Sequence, residues 1–238
     1  MDLRKNVQDS YNTIAKDFSA TRIFSWPEFQ EFFQYINPGD KILDIGCGNG
    51  RLLDSLESLE NYNINYTGVD LSKNLLEEAQ KKHPQAQFFL DDMTKLESIK
   101  IKNPEEKFDA IFFIASFHHL STEEQRLACL RKVKTLLKPN GKIFMTNWNL
   151  FQKKYRKYIF ESCIRSLTSS YKWNDTIIPF TKSGITTERY YHAFTPWELS
   201  SLFKKAGFSI VESFSYSAKE KVSPWWKGRN MCTILEIK

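Results

Sequence analysis

The stretch Lys41-Ile-Leu-Asp-Ile-Gly-Cys-Gly-Asn-Gly50 joins an apolar run to a turn that holds three glycines. The next residues, Arg51-Leu-Leu-Asp-Ser-Leu-Glu57, have an apolar spacing that fits a helix. The glycines therefore fall where a strand turns sharply into a helix and where the backbone can pass close to a ligand. A strand, a glycine turn and a helix in this order predict the ligand-binding beginning of an α/β sheet.

The spacing of these glycines also indicates the class of cofactor. A dinucleotide-binding turn has the pattern G-x-G-x-x-G, but here Arg51 takes the place of the third glycine and Gly50 comes one residue early. This favours S-adenosylmethionine, which has no phosphates, whose carboxylate can take a helix N-terminus and whose sulfonium can lie over the turn. The predicted cofactor-binding residues of this segment are Asp44, Gly46, Cys47, Gly48 and Gly50.

Apolar runs and amphipathic stretches alternate along the rest of the chain. Strands are predicted at 41–45, 64–70, 87–90, 108–114, 142–147, 208–213 and 231–237, with helices at 72–81, 121–137 and 196–206. This order predicts an α/β fold with a doubly wound, mostly parallel sheet of seven strands. We expect a single domain over 1–238: an N-terminal helical cap (1–36), a cofactor-binding core (40–148), a substrate-side insertion (149–192), and a C-terminal helix and strand pair (193–238).

Acidic residues follow the second and third predicted strands. Asp70 ends the second strand, beside Leu71, where a carboxylate can accept hydrogen bonds from two ribose hydroxyls. Its alternative role is to cap the helix that begins at Ser72. After the third strand, Asp92 is the preferred acceptor for an adenine amino group, and Asp91 competes with it for that role.

Two apolar residues complete the predicted cofactor site. Met93 offers a thioether that can lie against the adenine ring. Ala115 follows the fourth predicted strand, and the carboxyl end of that strand borders the ligand crevice of an open α/β sheet.

Three further segments extend the pattern: Tyr11-Asn-Thr-Ile-Ala-Lys-Asp-Phe-Ser-Ala-Thr-Arg-Ile-Phe-Ser-Trp-Pro27, Ile114-Ala-Ser-Phe-His-His-Leu-Ser-Thr-Glu-Glu-Gln-Arg126 and Glu188-Arg-Tyr-Tyr-His-Ala-Phe194. Together with the glycine turn, the chain resembles the class I S-adenosylmethionine-dependent methyltransferases, with a Rossmann-like fold, over about residues 40–148. The three segments resemble the tRNA methyltransferases that esterify a carboxymethyl group on wobble uridine. This resemblance implies tRNA as a partner and S-adenosyl-L-homocysteine as a product. The eukaryotic members of the family work with a small activator subunit, so two alternatives stay open for this chain: it uses such a subunit, or it acts alone.

Four residues in these segments are candidates for catalysis. Methylating a carboxylate oxygen needs no general base, because the nucleophile is already ionised at neutral pH; it needs placement and cationic anchoring. Arg22 and Arg189 can supply that anchor through a planar guanidinium, although each could instead form a surface ion pair. His118 and His119 can orient the acceptor, and His119 could act as a base if the acceptor were a hydroxyl or an amine.

Aromatic and basic side chains are candidates for binding the substrate. Aromatic rings can stack an unpaired base, and lysines can follow the RNA backbone, whereas core packing and a solvated helix face are the alternatives. The predicted substrate-binding residues are Tyr11, Trp26, Lys153, Lys154, Tyr190, Tyr191 and His192.

The charge is unevenly distributed along the chain. Residues 1–150 have 19 Lys and Arg against 21 Asp and Glu, and residues 151–238 have 15 against 7. The excess of cations favours a polyanionic partner. The sequence has no membrane-spanning apolar run, no secretory signal and no cysteine spacing typical of a metal site, so we expect a cytoplasmic protein without membrane or metal. The alternatives are a methyltransferase of quinones or metabolites, and a non-catalytic RNA-binding protein with this fold.

Overall fold

The computed structural model describes residues 3–21, 24–59 and 63–238. The helices in this part of the chain are α1 (Leu3–Ala20), α2 (Phe29–Phe33), α3 (Arg51–Glu57), α4 (Lys73–Lys82), α5 (Glu97–Lys102), α6 (Glu123–Leu136), α7 (Arg156–Ser166) and α8 (Pro196–Ala206). The strands are β1 (Lys41–Ile45), β2 (Asn65–Asp70), β3 (Gln87–Leu90), β4 (Phe108–Ile114), β5 (Leu137–Trp148), β6 (Asp175–Lys182), β7 (Ile185–His192), β8 (Phe208–Tyr216), β9 (Lys221–Val222) and β10 (Asn230–Ile237).

The central sheet has the strand order β3-β2-β1-β4-β5-β10-β8-β9. The first five strands of this order are mutually parallel, and β10 lies antiparallel between β5 and β8. The prediction of a mostly parallel α/β sheet is confirmed, but the number of strands was wrong. The eighth strand is β9, a two-residue segment that pairs with the end of β8 and is too short to show an apolar period.

Helices cover both faces of the sheet because successive buried residues of a strand point to opposite sides. In β4, Ile111 and Phe113 pack with α6 and α8, whereas Ala110 and Phe112 pack with α2 and α3. A strand buried on both faces reads as a continuous apolar run, as the sequence of β4 does.

The insertion forms a helix and a hairpin beside the main sheet. Helix α7 packs on the antiparallel pair β6 and β7, and α1 packs against both α4 and β7. A small apolar cluster that includes Leu150, Ile178 and Tyr191 lies between α7 and this hairpin. The first helix and the insertion therefore lie next to each other, close to the carboxyl ends of the parallel strands.

Candidate active site

A pocket opens at the carboxyl ends of β1, β2 and β4, where the crevice of an open α/β sheet is expected. Its wall includes residues from the glycine turn and from α1. Of the predicted cofactor residues, it contains Asp44, Gly46, Cys47, Gly48, Asp70, Leu71, Asp92, Met93 and Ala115. Of the predicted catalytic and substrate residues, it contains Tyr11, Trp26, His118, His119 and Tyr191.

Gly46 shows why the turn needs glycine. Its φ is +77°, a conformation that side chains disfavour, and a Cβ there would lie 2.3 Å from the Cβ of Ser116. The Ser116 hydroxyl donates a hydrogen bond to the Ile45 carbonyl at 2.6 Å, which joins the ends of β1 and β4. Gly50, the remaining predicted glycine, also has a positive φ and precedes α3 without appearing in the pocket wall.

Asp44 places a buried acid in the pocket wall. The residue is only 1% exposed, and its Oδ2 accepts a hydrogen bond from the Tyr66 hydroxyl at 2.8 Å. Burial raises the pKa of Asp44 to about 7, an effect that the Tyr66 hydrogen bond opposes. Its Oδ1 is buried without a hydrogen-bond partner among the described residues, so it can accept a hydrogen bond from a cationic ligand.

Asp70 connects the glycine turn to α4. Its Oδ2 accepts a hydrogen bond from the Gly48 amide at 2.9 Å, and its Oδ1 accepts one from the Ser72 amide at 2.8 Å. Burial raises its pKa, and these amides oppose the rise. The helix cap is formed by Ser72 itself, whose hydroxyl accepts from the Leu75 amide. Asp70 lies in the pocket wall, and a carboxylate has about four lone-pair sites, so it can also accept a hydrogen bond from a ligand.

Asp92 already has two partners. Its Oδ1 accepts hydrogen bonds from the Thr94 amide and hydroxyl, and its Oδ2 pairs with the guanidinium of Arg4 at 2.9 Å. Asp91 instead organises the following turn through the Ser98 amide and hydroxyl. Arg4 is a pocket residue that the sequence analysis missed.

Helix α1 lies across the mouth of the pocket. The Gln8 side chain donates to the Leu71 carbonyl at 2.9 Å, and the Ser72 hydroxyl donates to Asn12 at 2.7 Å. Arg4, Gln8 and Tyr11 are spaced four and three residues apart, which places them on one face of the helix. With Tyr11 predicted to bind the substrate, this helical spacing could have predicted that Arg4 lies on the same face.

The hydrogen bonds of His119, one of them with Tyr11, determine the tautomer of its imidazole. The Nδ1 of His119 lies 2.8 Å from the Tyr190 carbonyl, which can only accept, so Nδ1 carries the proton. The Nε2 therefore accepts a hydrogen bond from the Tyr11 hydroxyl at 3.0 Å. Burial is the main cause that lowers the pKa of His119 to about 3; the Tyr190 carbonyl opposes it and Arg189 adds to it. The ring is neutral, and both of its nitrogens are engaged.

His118 has the opposite tautomer. Its Nδ1 accepts a hydrogen bond from the Trp148 amide at 3.3 Å, so its Nε2 carries the proton. This Nε2 is buried and has no hydrogen-bond partner among the described residues. Burial, with His119 and Arg189 nearby, holds the pKa of His118 well below its usual value. A neutral N–H donor therefore borders the pocket.

Trp148, another pocket residue that the sequence analysis missed, forms an aromatic wall with Tyr191. The two rings are nearly parallel, with an 8° angle and 5.2 Å between centroids. The ring of Tyr155 is also nearly parallel to that of Trp148, with 6.2 Å between centroids. The signal for Trp148 was its position at the carboxyl end of β5, next to the ligand crevice.

Arg189 is a buried cation behind this wall. The residue is 3% exposed, and its guanidinium lies within 6 Å of the rings of Tyr11, Phe180 and Tyr191. One Nη donates to the Tyr11 hydroxyl at 3.4 Å, and Nε has no partner among the described residues. No carboxylate of the described residues forms an ion pair with it. Arg22, its predicted counterpart, lies outside the described residues.

Tyr190 and His192 point away from the pocket, because alternate residues of β7 face opposite sides of the hairpin. The Tyr190 hydroxyl donates to Asp175 at 2.6 Å. The imidazole of His192 lies between Asp175 at 2.7 Å and Glu198 at 2.6 Å. Their direct role in substrate binding stays a prediction.

The other predicted substrate residues lie on the rim and the outer surface. Trp26 lies on the pocket wall, and the guanidinium of Arg51 stacks over its ring at 4.0 Å. Lys153 and Lys154 are exposed in a short 3-10 turn before α7.

Within residues 3–21, 24–59 and 63–238, His, Cys, Asp and Glu side chains form no group of three that could hold a metal ion. None of the helices in these ranges combines the length and apolar character needed to cross a bilayer.

Comparisons with known proteins identify the family of the chain. The methyltransferase domain family matches residues 43–143. The chain is 30% identical over 217 residues to a tRNA (carboxymethyluridine(34)-5-O)-methyltransferase of Schizosaccharomyces pombe, covering 87% of this chain and 90% of that protein. It is 27% identical over 278 residues to the protein of that name from Xenopus tropicalis, covering 98% of this chain but 41% of the longer relative.

A solved structure shares the fold. The chain superposes on a methyltransferase complex from Haloferax volcanii, which contains the Trm112 methyltransferase activator, with a TM-score of 0.65, 16% identity and 97% coverage of both chains. The predicted class I fold and its cofactor, S-adenosylmethionine, are confirmed. By its similarity along nearly the whole S. pombe relative, the chain belongs to the tRNA (carboxymethyluridine(34)-5-O)-methyltransferase family.

Proposed function

We propose that this chain transfers the methyl group of S-adenosylmethionine to the carboxylate of a carboxymethyl-modified wobble uridine in tRNA. The observation that carries this proposal is Arg189, a buried cation without a carboxylate partner among the described residues, placed directly behind the pocket wall. Burying an unpaired ion costs several kcal/mol. The three cation–π contacts of Arg189, each about 2 kcal/mol or more when desolvated, offset part of this cost but supply no negative charge, which an anionic acceptor would provide.

The cofactor half of the pocket fits S-adenosylmethionine. The buried Oδ1 of Asp44 is suited to the ammonium of its amino-acid part, and the carboxylate of Asp70 in the pocket wall is suited to the ribose hydroxyls. Met93 offers an apolar contact to the adenine ring, and Asp92 is held in place by Arg4. When bound, the cofactor supplies an electrophilic methyl group on a sulfonium.

The acceptor half supports a reaction without a general base. His119 is a poor base, since burial lowers its pKa to about 3 and both of its nitrogens already have partners, with Nδ1 donating to the Tyr190 carbonyl and Nε2 accepting from the Tyr11 hydroxyl. A carboxylate is already ionised at neutral pH and needs only orientation. The Nε2–H of His118 can donate to an oxygen of the acceptor, and the parallel rings of Trp148 and Tyr191 offer a surface on which a base can stack.

The rest of the assignment follows from the family. We assign the substrate side to the N-terminal segment and to residues 149–192, with Arg22, Lys153 and Lys154 as further contacts to the anionic substrate. The Haloferax volcanii complex supports a small activator subunit as a partner of this chain as well. The four free cysteines, at 47, 129, 163 and 232, are typical of a reducing compartment such as the cytoplasm.

The test is methyl transfer to tRNA that contains carboxymethyluridine, with and without an activator subunit. Arg189→Lys should lower kcat/KM by on the order of tenfold or more, because an ammonium cannot form the planar pair with a carboxylate. Arg131→Lys, on the exposed face of α6, is the matched control. Affinity for S-adenosylmethionine should be unchanged in both variants.

His119→Ala separates the carboxylate reaction from a base-dependent one. The variant should keep substantial activity, and between about pH 5.5 and 8.5 the wild-type rate should show no limb from a catalytic imidazole, because the pKa of His119 is lowered to about 3. Normal rates in Arg189→Lys combined with an inactive His119→Ala would contradict the proposal and indicate a hydroxyl or amine acceptor.

A further inference from the structure

A cluster of exposed aromatic rings lies outside the pocket described above. It consists of Trp173, Trp197, Trp225 and Trp226 around Phe151, and we call it the tryptophan patch. Trp173, Trp197 and Trp226 are 46%, 70% and 51% exposed. Trp225 lies 5.3 Å from Phe151 and 6.0 Å from both Trp197 and Trp226, and Phe151 lies 6.1 Å from Trp173, measured between ring centroids. The rings form one continuous surface.

The patch adjoins the mouth of the active site. The side chain of Asn149, which follows the pocket residue Trp148, donates hydrogen bonds to the carbonyls of Trp225 at 2.9 Å and Gly228 at 2.8 Å. Trp148 itself pairs with Asn230, the first residue after the loop that holds Trp225 and Trp226. Hydrogen bonds therefore hold the loop after β5 against the loop before β10, at the edge of the sheet where the pocket opens.

The loops that carry the patch are positively charged. Residues 149–157 contain four Lys or Arg and no Asp or Glu, and residues 223–229 contain two and none. Lys172, Lys227 and Arg229 are exposed and form no salt bridge within the described ranges. Aromatic rings interleaved with unpaired cations are suited to single-stranded nucleic acid, because every base has a face that stacks and every phosphate is an anion.

We propose that the tryptophan patch stacks unpaired bases of the anticodon loop next to the nucleotide held in the active site. This inference rests on the proposed function, because it needs a tRNA loop at the mouth of the pocket. Stacking outside the pocket gives sequence-tolerant affinity, whereas the pocket selects the modified base. A protein partner is less well matched, because protein interfaces are depleted in lysine and this surface is bordered by it.

The experiment measures the affinity of the full chain for a carboxymethyluridine-containing anticodon stem-loop, in the presence of S-adenosylhomocysteine and at several salt concentrations. The double variant Trp197→Ala/Trp226→Ala should bind on the order of tenfold or more weakly, because stacked bases lose their aromatic partners. The slope of affinity against salt should not change, since the cations that meet the phosphates are all retained. Lys227→Gln/Arg229→Gln should instead flatten that slope.

Phe160→Ala is the matched control, because Phe160 is a ring on α7 that is 67% exposed and lies outside the patch. It should bind the stem-loop like the wild type, and all variants should bind S-adenosylmethionine normally, which shows that they fold. Tryptophan emission should be quenched by the stem-loop but not by the duplex stem alone.

Wild-type affinity of the double variant for the stem-loop would overturn the inference and leave the proposed function intact. So would a double variant that binds the stem-loop normally but is no longer stimulated by an activator subunit, because the patch would then be a protein interface. A wild-type chain that neither binds nor methylates the stem-loop would overturn the proposed function together with this inference.

Discussion

At the scale of a residue, one hydrogen bond sets the tautomer of each of two adjacent histidines. His118 and His119 are both buried and neutral, yet a carbonyl faces Nδ1 of His119 whereas an amide N–H faces Nδ1 of His118. The tautomers are therefore opposite, and only His118 keeps an N–H available for a ligand. Asp44 is a third buried group whose protonation state bears on function.

The raised pKa of Asp44 predicts that cofactor affinity depends on pH. An ammonium ligand needs the carboxylate form, and burial raises the pKa of Asp44 to about 7. The dissociation constant for S-adenosylmethionine should therefore be about tenfold higher at about pH 6 than at about pH 8, because Asp44 takes up one proton as the pH falls below its pKa. Calorimetry across this pH range measures the dissociation constant. Asp44→Asn should bind weakly at both values, and a pH dependence that persists in this variant would assign the proton to another group.

At the scale of an element, strand β7 separates a functional face from a structural one. Arg189 and Tyr191 face the pocket side, and His192 lies on the opposite side between two carboxylates. The carboxylates of Asp175 and Glu198 belong to β6 and α8, so the imidazole of His192 connects the hairpin to the core. Burial opposes their ionisation, but His192 holds the pKa of both carboxyls below the usual value.

His192→Gln should destabilise the fold by about 3 kcal/mol at pH 7, because Asp175 and Glu198 lose their short contacts with the imidazole, and only Glu198 keeps a cationic partner among the described residues, Arg126 at 3.5 Å. Since the pKa values of Asp175 and Glu198 are lowered in the folded state, the wild-type advantage is present above about pH 4 and is lost as pH falls below it. Thermal unfolding at about pH 7 and pH 3.5 measures both effects. His83→Gln is the control: its carboxylate partners, Asp54 and Glu57, are 28% and 58% exposed against 7% and 29% for Asp175 and Glu198, and Asp54 also pairs with Lys82, so the loss should be smaller.

At the scale of the whole molecule, charge is separated along the chain. The first 150 residues carry a net charge of 19 − 21 = −2, and residues 151–238 carry 15 − 7 = +8. The cofactor pocket belongs mainly to the first part, whereas α7 and the loops beside it belong to the second. A polyanionic substrate would therefore meet the insertion first.

Neutralising the exposed cluster before and within α7 should change how tRNA binding responds to salt. Replacing Lys153, Lys154, Arg156 and Lys157 with glutamine should reduce the slope of log affinity against log salt by about 3, because each phosphate that is no longer neutralised removes roughly 0.7–0.9 from it. Filter binding between about 50 and 200 mM salt measures the slope, and affinity for S-adenosylmethionine serves as the control. tRNA binding that is independent of salt in the wild type would favour a small-molecule substrate.

The sequence by itself determined the parallel sheet, the glycine turn and the acid that ends β2. These features depend on local order, namely the apolar period of a strand, the backbone freedom of glycine, and the rule that ligands bind at the carboxyl ends of parallel strands. They could be predicted because each involves residues close together in the chain. Strand β9 and the hairpin of β6 and β7 could not be predicted, because their pairing depends on neighbouring strands rather than on an apolar period in their own sequence.

Only the tertiary structure decided which side chains act together. Tyr11 meets His119 across 108 positions of sequence, and Arg4 meets Asp92 across 88. The burial of Arg189, and the tautomer of each active-site histidine, likewise follow from contacts between distant segments. Since burial and hydrogen-bond partners set the charge and direction of these groups, the sequence could nominate the residues but only the packed fold could assign their chemistry.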